Sequence, residues 1–354
     1  MRTIFRVLVV LSIIMVAGVY LNKYAEKKEF LQPPVSNKLP ELKSNEKDTS
    51  QEKSMIDKIP KAGLASFIGK PSQQITAKFG KPDRIDPTQY GYHWWIYHGQ
   101  NSYIQFGIER NKVVTVYAIG KGVNVQPFKI GQQINNIFRS YSMNPEIVIT
   151  SKEGHYQFEL SEEDLNLQPL VPLGNIYAQL YLDKFSGTLS SIRFMDGEIL
   201  LRQKPYELIY QGQLPKWPEP TMDQWQKIES GEERQIFDIT NTIRKQFQLK
   251  PLKWDEKTAN VAFEHSKEMN DKQYFSHESP SEGDLATRLK TAGVSYQMAG
   301  ENIAAHYVDG PAAVQGWLNS EGHRKALLGK NFTHLGVGVY KTYYTQDFIQ
   351  KQEW

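Results

Sequence analysis

Hydrophobic positions along this chain change their period three times, and each change marks a segment. Behind Arg2 and Arg6, the run from Val7 to Leu21 is apolar apart from Ser12 and Gly18. It matches the upper size of a signal-peptide core and falls just short of the roughly 20 residues of a spanning helix. No A-x-A cleavage site follows; Val16-Ala17-Gly18 comes nearest and lies inside the run. Residues 1–21 are therefore expected to form a hydrophobic helix, a signal anchor in preference to a cleaved signal peptide. Lys23, Lys27 and Lys28 balance Arg2 and Arg6, so loop charge leaves the orientation open. Residues 22–58 mix Lys, Glu, Ser, Asn and Pro with little periodicity, which predicts a disordered, solvated linker.

From residue 59 to 203 the period becomes two. Ile104, Phe106 and Ile108 alternate with polar or small residues, as do Val114, Val116 and Ala118, and later Ile176, Ala178, Leu180 and Leu182, then Ile192 and Phe194. Turn signals such as Arg110-Asn111-Lys112 and Ser186-Gly187 separate these runs. Ile68-Gly69 with Ile75 and Phe79 is echoed by Ile130-Gly131 with Ile137 and Phe138, a faint internal duplication of a short helix followed by strands. The segment reads as a β-rich α+β domain. Its cluster of Tyr90, Tyr92, Trp94, Trp95 and Tyr97 could form a carbohydrate or peptide platform, but strand propensity favours a packed core.

Residues 204–222 are rich in Pro, Gly and Gln and predict an extended interdomain linker. Over 223–354 a helical period takes over. Ile236, Ile239, Ile243 and Phe247 share one face, and a second helix starts near the capping residue Asp255 and points Ala259, Ala262, Phe263 and Met269 inward. Pro311 suits the first turn of a third helix carrying Val314, Trp317 and Leu318. Alternation returns at Leu335, Val337 and Val339 and again near Phe348. Helices and strands in one stretch of this size predict an α/β sandwich.

Composition narrows the picture only slightly. The chain of 354 residues carries a formal net charge of +3, which demands no nucleic-acid partner. It has no cysteine, which excludes disulfides, thiol catalysis, Cys-based zinc sites and an N-terminal lipidated Cys.

Two strings carry the candidate chemistry: Gly300-Glu301-Asn302, and Ser320-Glu321-Gly322-His323-Arg324. With Phe275-Ser276-His277 they could bring two imidazoles and one or two carboxylates together, a donor set suited to zinc or another divalent metal. A His–Glu pair could equally act as base and orienter. His277, Glu301 and His323 are far apart in sequence and no H-E-x-x-H helix joins them, so spacing alone favours a polar network that pins loops. His265 shares a face with Ala262 and Met269 and reads as structural.

Asn241-x-x-Arg244 with Leu252-x-Trp254-Asp255, then Ala262-x-x-His265-Ser266-x-x-Met269 and Phe275-Ser276-His277, resemble the start of bacterial CAP domains (cysteine-rich secretory, antigen 5 and pathogenesis-related proteins). Gly300-Glu301-Asn302-Ile303-Ala304, Trp317-Leu318-Asn319-Ser320, Gly322-His323-Arg324 and Phe332-Thr333-His334-Leu335-Gly336-Val337-Gly338 continue the likeness in order. The preceding β-rich region is similar to the CAP-associated domain of some bacterial envelope proteins. The resemblance implies an α–β–α sandwich with a central antiparallel sheet, and a cleft in which some members place two His and two Glu around a divalent metal. Carried over, it assigns His277, Glu301 and His323 to cleft and metal. Ser320 stands where eukaryotic relatives have the remaining acid, with Glu321 beside it as a candidate substitute whose side chain is expected to point elsewhere; Ser320, Glu321 and Asn302, next to Glu301, count as further cleft residues.

Function is thus expected to be that of an envelope module binding an unidentified cell-wall, lipid or protein ligand, tethered to the outer face of the membrane or secreted. The alternative is a metal-assisted hydrolase of cell-wall or peptide material.

Overall fold

The computed structural model describes residues 60–351. The predicted N-terminal helix and the whole of the linker after it lie outside the described residues. Among the described residues no helix is long and apolar enough to cross a membrane.

The first domain runs α1 (Gln73–Phe79), β1 (Arg84–Pro87), β2 (His93–His98), β3 (Ser102–Glu109), β4 (Lys112–Gly120), α2 (Ile134–Ser140), β5 (Glu146–Thr150) and β6 (Gly154–Glu159). It continues with α3 (Glu162–Leu167), β7 (Leu170–Leu173), β8 (Ile176–Asp183), β9 (Thr188–Asp196), α4 (Gly197–Gln203) and β10 (Glu207–Gly212). Its large sheet has the order β1-β2-β3-β4-β9-β8-β7, and a small sheet has the order β10-β6-β5. Gly69 and Gly131 both adopt positive φ, 80° and 83°, a left-handed turn that glycine accepts without strain. Gly69 N donates to Val113 O and Gly131 N to Leu189 O, so each short helix hangs on β4 or β9, the two strands that pair at the sheet centre. Phe138, matched to Phe79 in sequence, is exposed.

The linker expected over 204–222 needs correction. Glu207–Gly212 is β10, paired antiparallel with β6, and Tyr206 before it is buried. The apolar triplet Leu208-Ile209-Tyr210 outweighs the surrounding Pro and Gln because an open strand edge is there to receive it.

The second domain opens with α5 (Met222–Gln246), whose start is fixed by a reciprocal capping box between Thr221 and Gln224. It continues with β11 (Lys253–Trp254), α6 (Glu256–Asp271), α7 (Leu285–Thr291), β12 (Met298–Ala305), α8 (Gly310–Asn319), α9 (Glu321–Leu327), β13 (His334–Tyr340) and β14 (Tyr343–Gln350). Asp255 caps α6 through Thr258 N, and Asp309 caps α8 with Pro311 in its first turn. The sheet order is β11-β13-β14-β12, with α6 on one face and α5 on the other. A Cβ on Gly338 would lie 1.9 Å from the backbone N of Phe263, and one on Gly336 would lie 2.2 Å from Ala259 N. Those glycines let α6 rest directly on β13. This is the sandwich that the sequence predicts.

Both faces of the large sheet are covered. One holds the first domain's own core around Phe106, Val116, Ile192 and Phe194. The other, with Tyr90, Tyr92 and Trp94, continues into the core of the second domain. The aromatic cluster is therefore core on two sides, and β8 has no exposed position at all. Across that second face runs a ribbon of paired polar residues, Gln105, Tyr117, Arg193 and Gln179. Arg193 is wholly buried and donates through Nη2 to both oxygens of Asp309, at 2.7 Å each.

Candidate functional site

β12 is an edge strand of its sheet, and successive side chains of a strand point to opposite faces. Glu301 and Asn302 therefore part company. On one side of the strand, Glu301 lies beside the loop carrying His277; on the other, Asn302 meets α9, which carries His323. The two imidazoles approach each other with ring centroids 6.3 Å apart and planes 30° from parallel.

The Glu301 side chain is buried, and both of its oxygens are engaged. His277 Nδ1 donates to Oε1 at 2.8 Å, and Arg288 Nη2 on α7 donates to Oε2 at 2.8 Å. The same Arg288 nitrogen donates to the backbone carbonyl of His277 at 3.1 Å, so one guanidinium sets both the loop and the carboxylate. Burial pushes the Glu301 carboxyl up, but the His277 hydrogen bond and the charge of Arg288 outweigh it and hold it at about 2. The site thus keeps an ionised, fully directed carboxylate behind His277. With Nδ1 so engaged, that ring is left to meet a ligand through Nε2, and its side chain is 37% exposed.

Asp347 on β14 lies opposite Glu301 in the antiparallel register and is wholly buried. Among the described residues, none donates an N–H or O–H to either of its oxygens. Burial first, and the Glu301 charge second, push its carboxyl well above the ordinary range. A neutral Asp347 that donates its own proton to Glu301 satisfies both observations, since two adjacent carboxyls do not both ionise.

His265 completes the wall. It is fully buried, its Nε2 lies 3.0 Å from Ser276 O and 4.0 Å from Glu301 Oε2, and burial lowers its pKa to about 4. It is neutral at pH 7 and holds the loop before His277 from behind. Glu268 pins the rest of that loop, accepting from Tyr274 Oη at 2.8 Å and from the hydroxyls of Ser279 and Ser281.

On the other side of the strand, Ser320 Oγ is 2.6 Å from His323 Nδ1, and both residues are buried. Ser320, in the place of the acid implied by the resemblance, holds the second imidazole. Glu321 and Asn302, the other cleft candidates, do not line the cleft, and Glu321 points away from it as expected. The Glu321 side chain is 71% exposed and pairs with Lys325 one turn along α9, because the helix turns that position to solvent. Asn302 is wholly buried and donates to His323 O at 3.1 Å and Gln346 Oε1 at 3.2 Å, so it ties α9 to the sheet and does not line the cleft.

Sequence reasoning missed Arg288 and Asp347. Asp347 left one signal, an acid at a strand position flanked by Gln346 and Phe348; Arg288, on a short amphipathic helix, left none.

His277, Glu301 and His323 do not fit a three-ligand metal centre in this arrangement. Glu301 addresses the back of His277 and the Arg288 cation, not a point shared with both imidazoles. Among the described residues no group of three or more His, Asp or Glu converges as a metal would require.

Residues 68–206 match the family profile described as CAP-associated N-terminal, and residues 237–352 match that of the cysteine-rich secretory protein family. A Bacillus subtilis relative described as the uncharacterized membrane protein YlbC is 46% identical over 99% of this chain and 100% of its own length. The crystal structure of an extracellular protein containing an SCP domain from Bacillus anthracis is 45% identical, with a TM-score of 0.79, covering 88% of this chain and 100% of that one. A cysteine-rich secretory protein from Staphylococcus aureus is 33% identical, with a TM-score of 0.74, covering 83% of this chain and 97% of that one. The chain, itself devoid of cysteine, belongs to the cysteine-rich secretory protein (CAP) family, as a member whose CAP domain follows a CAP-associated N-terminal domain.

Proposed function

We propose that this protein faces outward at the cell envelope and captures an envelope ligand in its CAP cleft between His277 and His323. The carrying observation is that each imidazole is fixed through Nδ1, one by Glu301 and one by Ser320, with the two rings 6.3 Å apart across a sheet edge. Rings fixed in this way are preorganised to recognise a polar group at little entropic cost. The membrane-protein name of one relative and the extracellular title of another support the location. The hydrolytic alternative has less behind it. Glu301 is committed to orienting His277, and Ser320 is 1% exposed as a residue and occupied with His323, which puts it out of reach as a nucleophile.

The test uses the full-length protein with purified cell-wall sacculi and, separately, anionic lipid vesicles. Retention on one of these is expected to fall about tenfold, about 1.4 kcal/mol, in His277→Ala and in His323→Ala, and to be unchanged by a chelator. Time-dependent release of soluble sugar or peptide, abolished in a folded Glu301→Gln variant, makes the protein a hydrolase and ends the binding proposal.

A further inference from the structure

The His323 helix is gripped on both sides of the cleft residues by the other domain. The turn between β8 and β9 projects from the first domain onto the segment 319–324. Ahead of Ser320, Asn319 Nδ2 donates to Leu182 O at 2.8 Å and Asn319 Oδ1 accepts from Lys184 N at 2.9 Å. Just past His323, Arg324 donates to both oxygens of Asp183, Nη1 to Oδ1 at 2.9 Å and Nη2 to Oδ2 at 3.0 Å. Its Nη1 also donates to Leu318 O, and the guanidinium lies 4.8 Å from the ring centre of Phe185 in the same turn. The Asp183 side chain is 3% exposed and that of Arg324 13%, so the pair is shielded from solvent and from salt.

By contrast, His277 is set within its own domain, by Glu301, Arg288, His265 and the Glu268 loop. His323 also has a hold within its own domain, from Asn302 to its backbone carbonyl, but unlike His277 it sits in a segment that the first domain grips as well. We infer that Asp183 is a positioning residue for His323, so that the CAP-associated domain sets the spacing of the cleft from outside it. Two-point, planar pairing is what makes this contact directional: a bidentate guanidinium–carboxylate fixes orientation as well as distance. Ser320, clasped between Asn319 and Arg324, then carries that position to the His323 ring. The inference takes from the proposed function only that both rings belong to one cleft.

The experiment reads the geometry of His323 without any ligand, so its failure is separable from failure of the binding proposal. Carbethoxylation of the histidines by diethyl pyrocarbonate in the full-length protein is followed by mass spectrometry at pH 8. At that pH ordinary imidazoles are neutral, and loss of a nearby carboxylate has little direct effect on their reactivity. Asp183→Asn keeps an oxygen that can accept from Phe185 N and Ser186 N, and so preserves the turn. It is expected to raise the modification rate of His323 at least about fivefold, the low end of coupling between linked sites, with His277 unchanged. Arg324→Gln should do the same, and Asp183→Glu should restore most of the protection. An unchanged His323 rate in Asp183→Asn overturns the proposal. So does an equal rise at His277, which would mean general loosening.

Discussion

Glu301 holds its charge in the protein interior because three neighbours divide the work: His277 and Arg288 donate to it, and Asp347 stays neutral beside it. Breaking a buried ion pair from one side is far more damaging than replacing a neutral neighbour by its isostere. Arg288→Met is therefore expected to cost about 3–5 kcal/mol in urea unfolding, whereas Asp347→Asn should stay within about 1 kcal/mol. A gain in stability in Asp347→Asn would mean that Asp347 is ionised, since the exchange would then remove an uncompensated buried charge. His265 supplies the pH dependence. Its folded pKa of about 4 lies below the ordinary 6.5, so the unfolded chain binds the extra proton between those values. Its contribution is complete above pH 6.5 and lost as pH falls through 4, and His265→Gln should flatten the stability profile across that window. Of these residues, His277, Glu301 and His323 were legible from family strings. Arg288 and Asp347 were not, because their roles arise from strand register and from a helix that lands on the sheet edge.

At the scale of elements, period and caps carried most of the information. Asp255, Pro311 and the alternation around Val337 marked α6, α8 and β13 because local hydrogen bonds and side-chain alternation act within a few residues. β10 escaped, since a strand edge supplied from residues 154–159 is invisible to a local window. Helix α5 shows what such packing does to charge. Glu233 accepts from Val339 N at 3.2 Å, and burial raises its pKa to about 8 even though that bond and Arg234 act the other way. The folded state thus binds the extra proton between 4.5 and 8, and stability falls as pH rises through that range. Glu233→Gln keeps an acceptor for Val339 N. It should raise the melting temperature at pH 8.5 and leave it nearly unchanged at pH 4; a lower melting temperature at both would show that the carboxylate itself stabilises the helix.

For the whole molecule, the contact between domains was the part least visible in sequence. Gln105, Tyr117, Gln179 and Arg193 alternate with apolar residues along their strands, yet all are buried, Tyr117 and Arg193 against Gln315 and Asp309 of the second domain and Gln179 against Tyr206 of the first. Asp309 joins the layers twice over, capping α8 and receiving Arg193. The two domains should accordingly melt as one calorimetric transition. Asp309→Ala removes a cap and strands the Arg193 cation, and is expected to split the transition in two or lower it by several degrees; a single unshifted peak would show that the pair contributes nothing. The same ribbon bears on how the chain can be dissected. A fragment ending near residue 213 would turn Tyr92, Trp94, Tyr117 and Arg193 toward water and would invite copies of itself to fill the gap. A CAP fragment beginning near 221 would keep every contact of His277 and lose those that Leu182, Asp183 and Lys184 make to the segment carrying His323. Histidine chemistry measured on that half alone would then describe a different cleft from the one the intact chain carries.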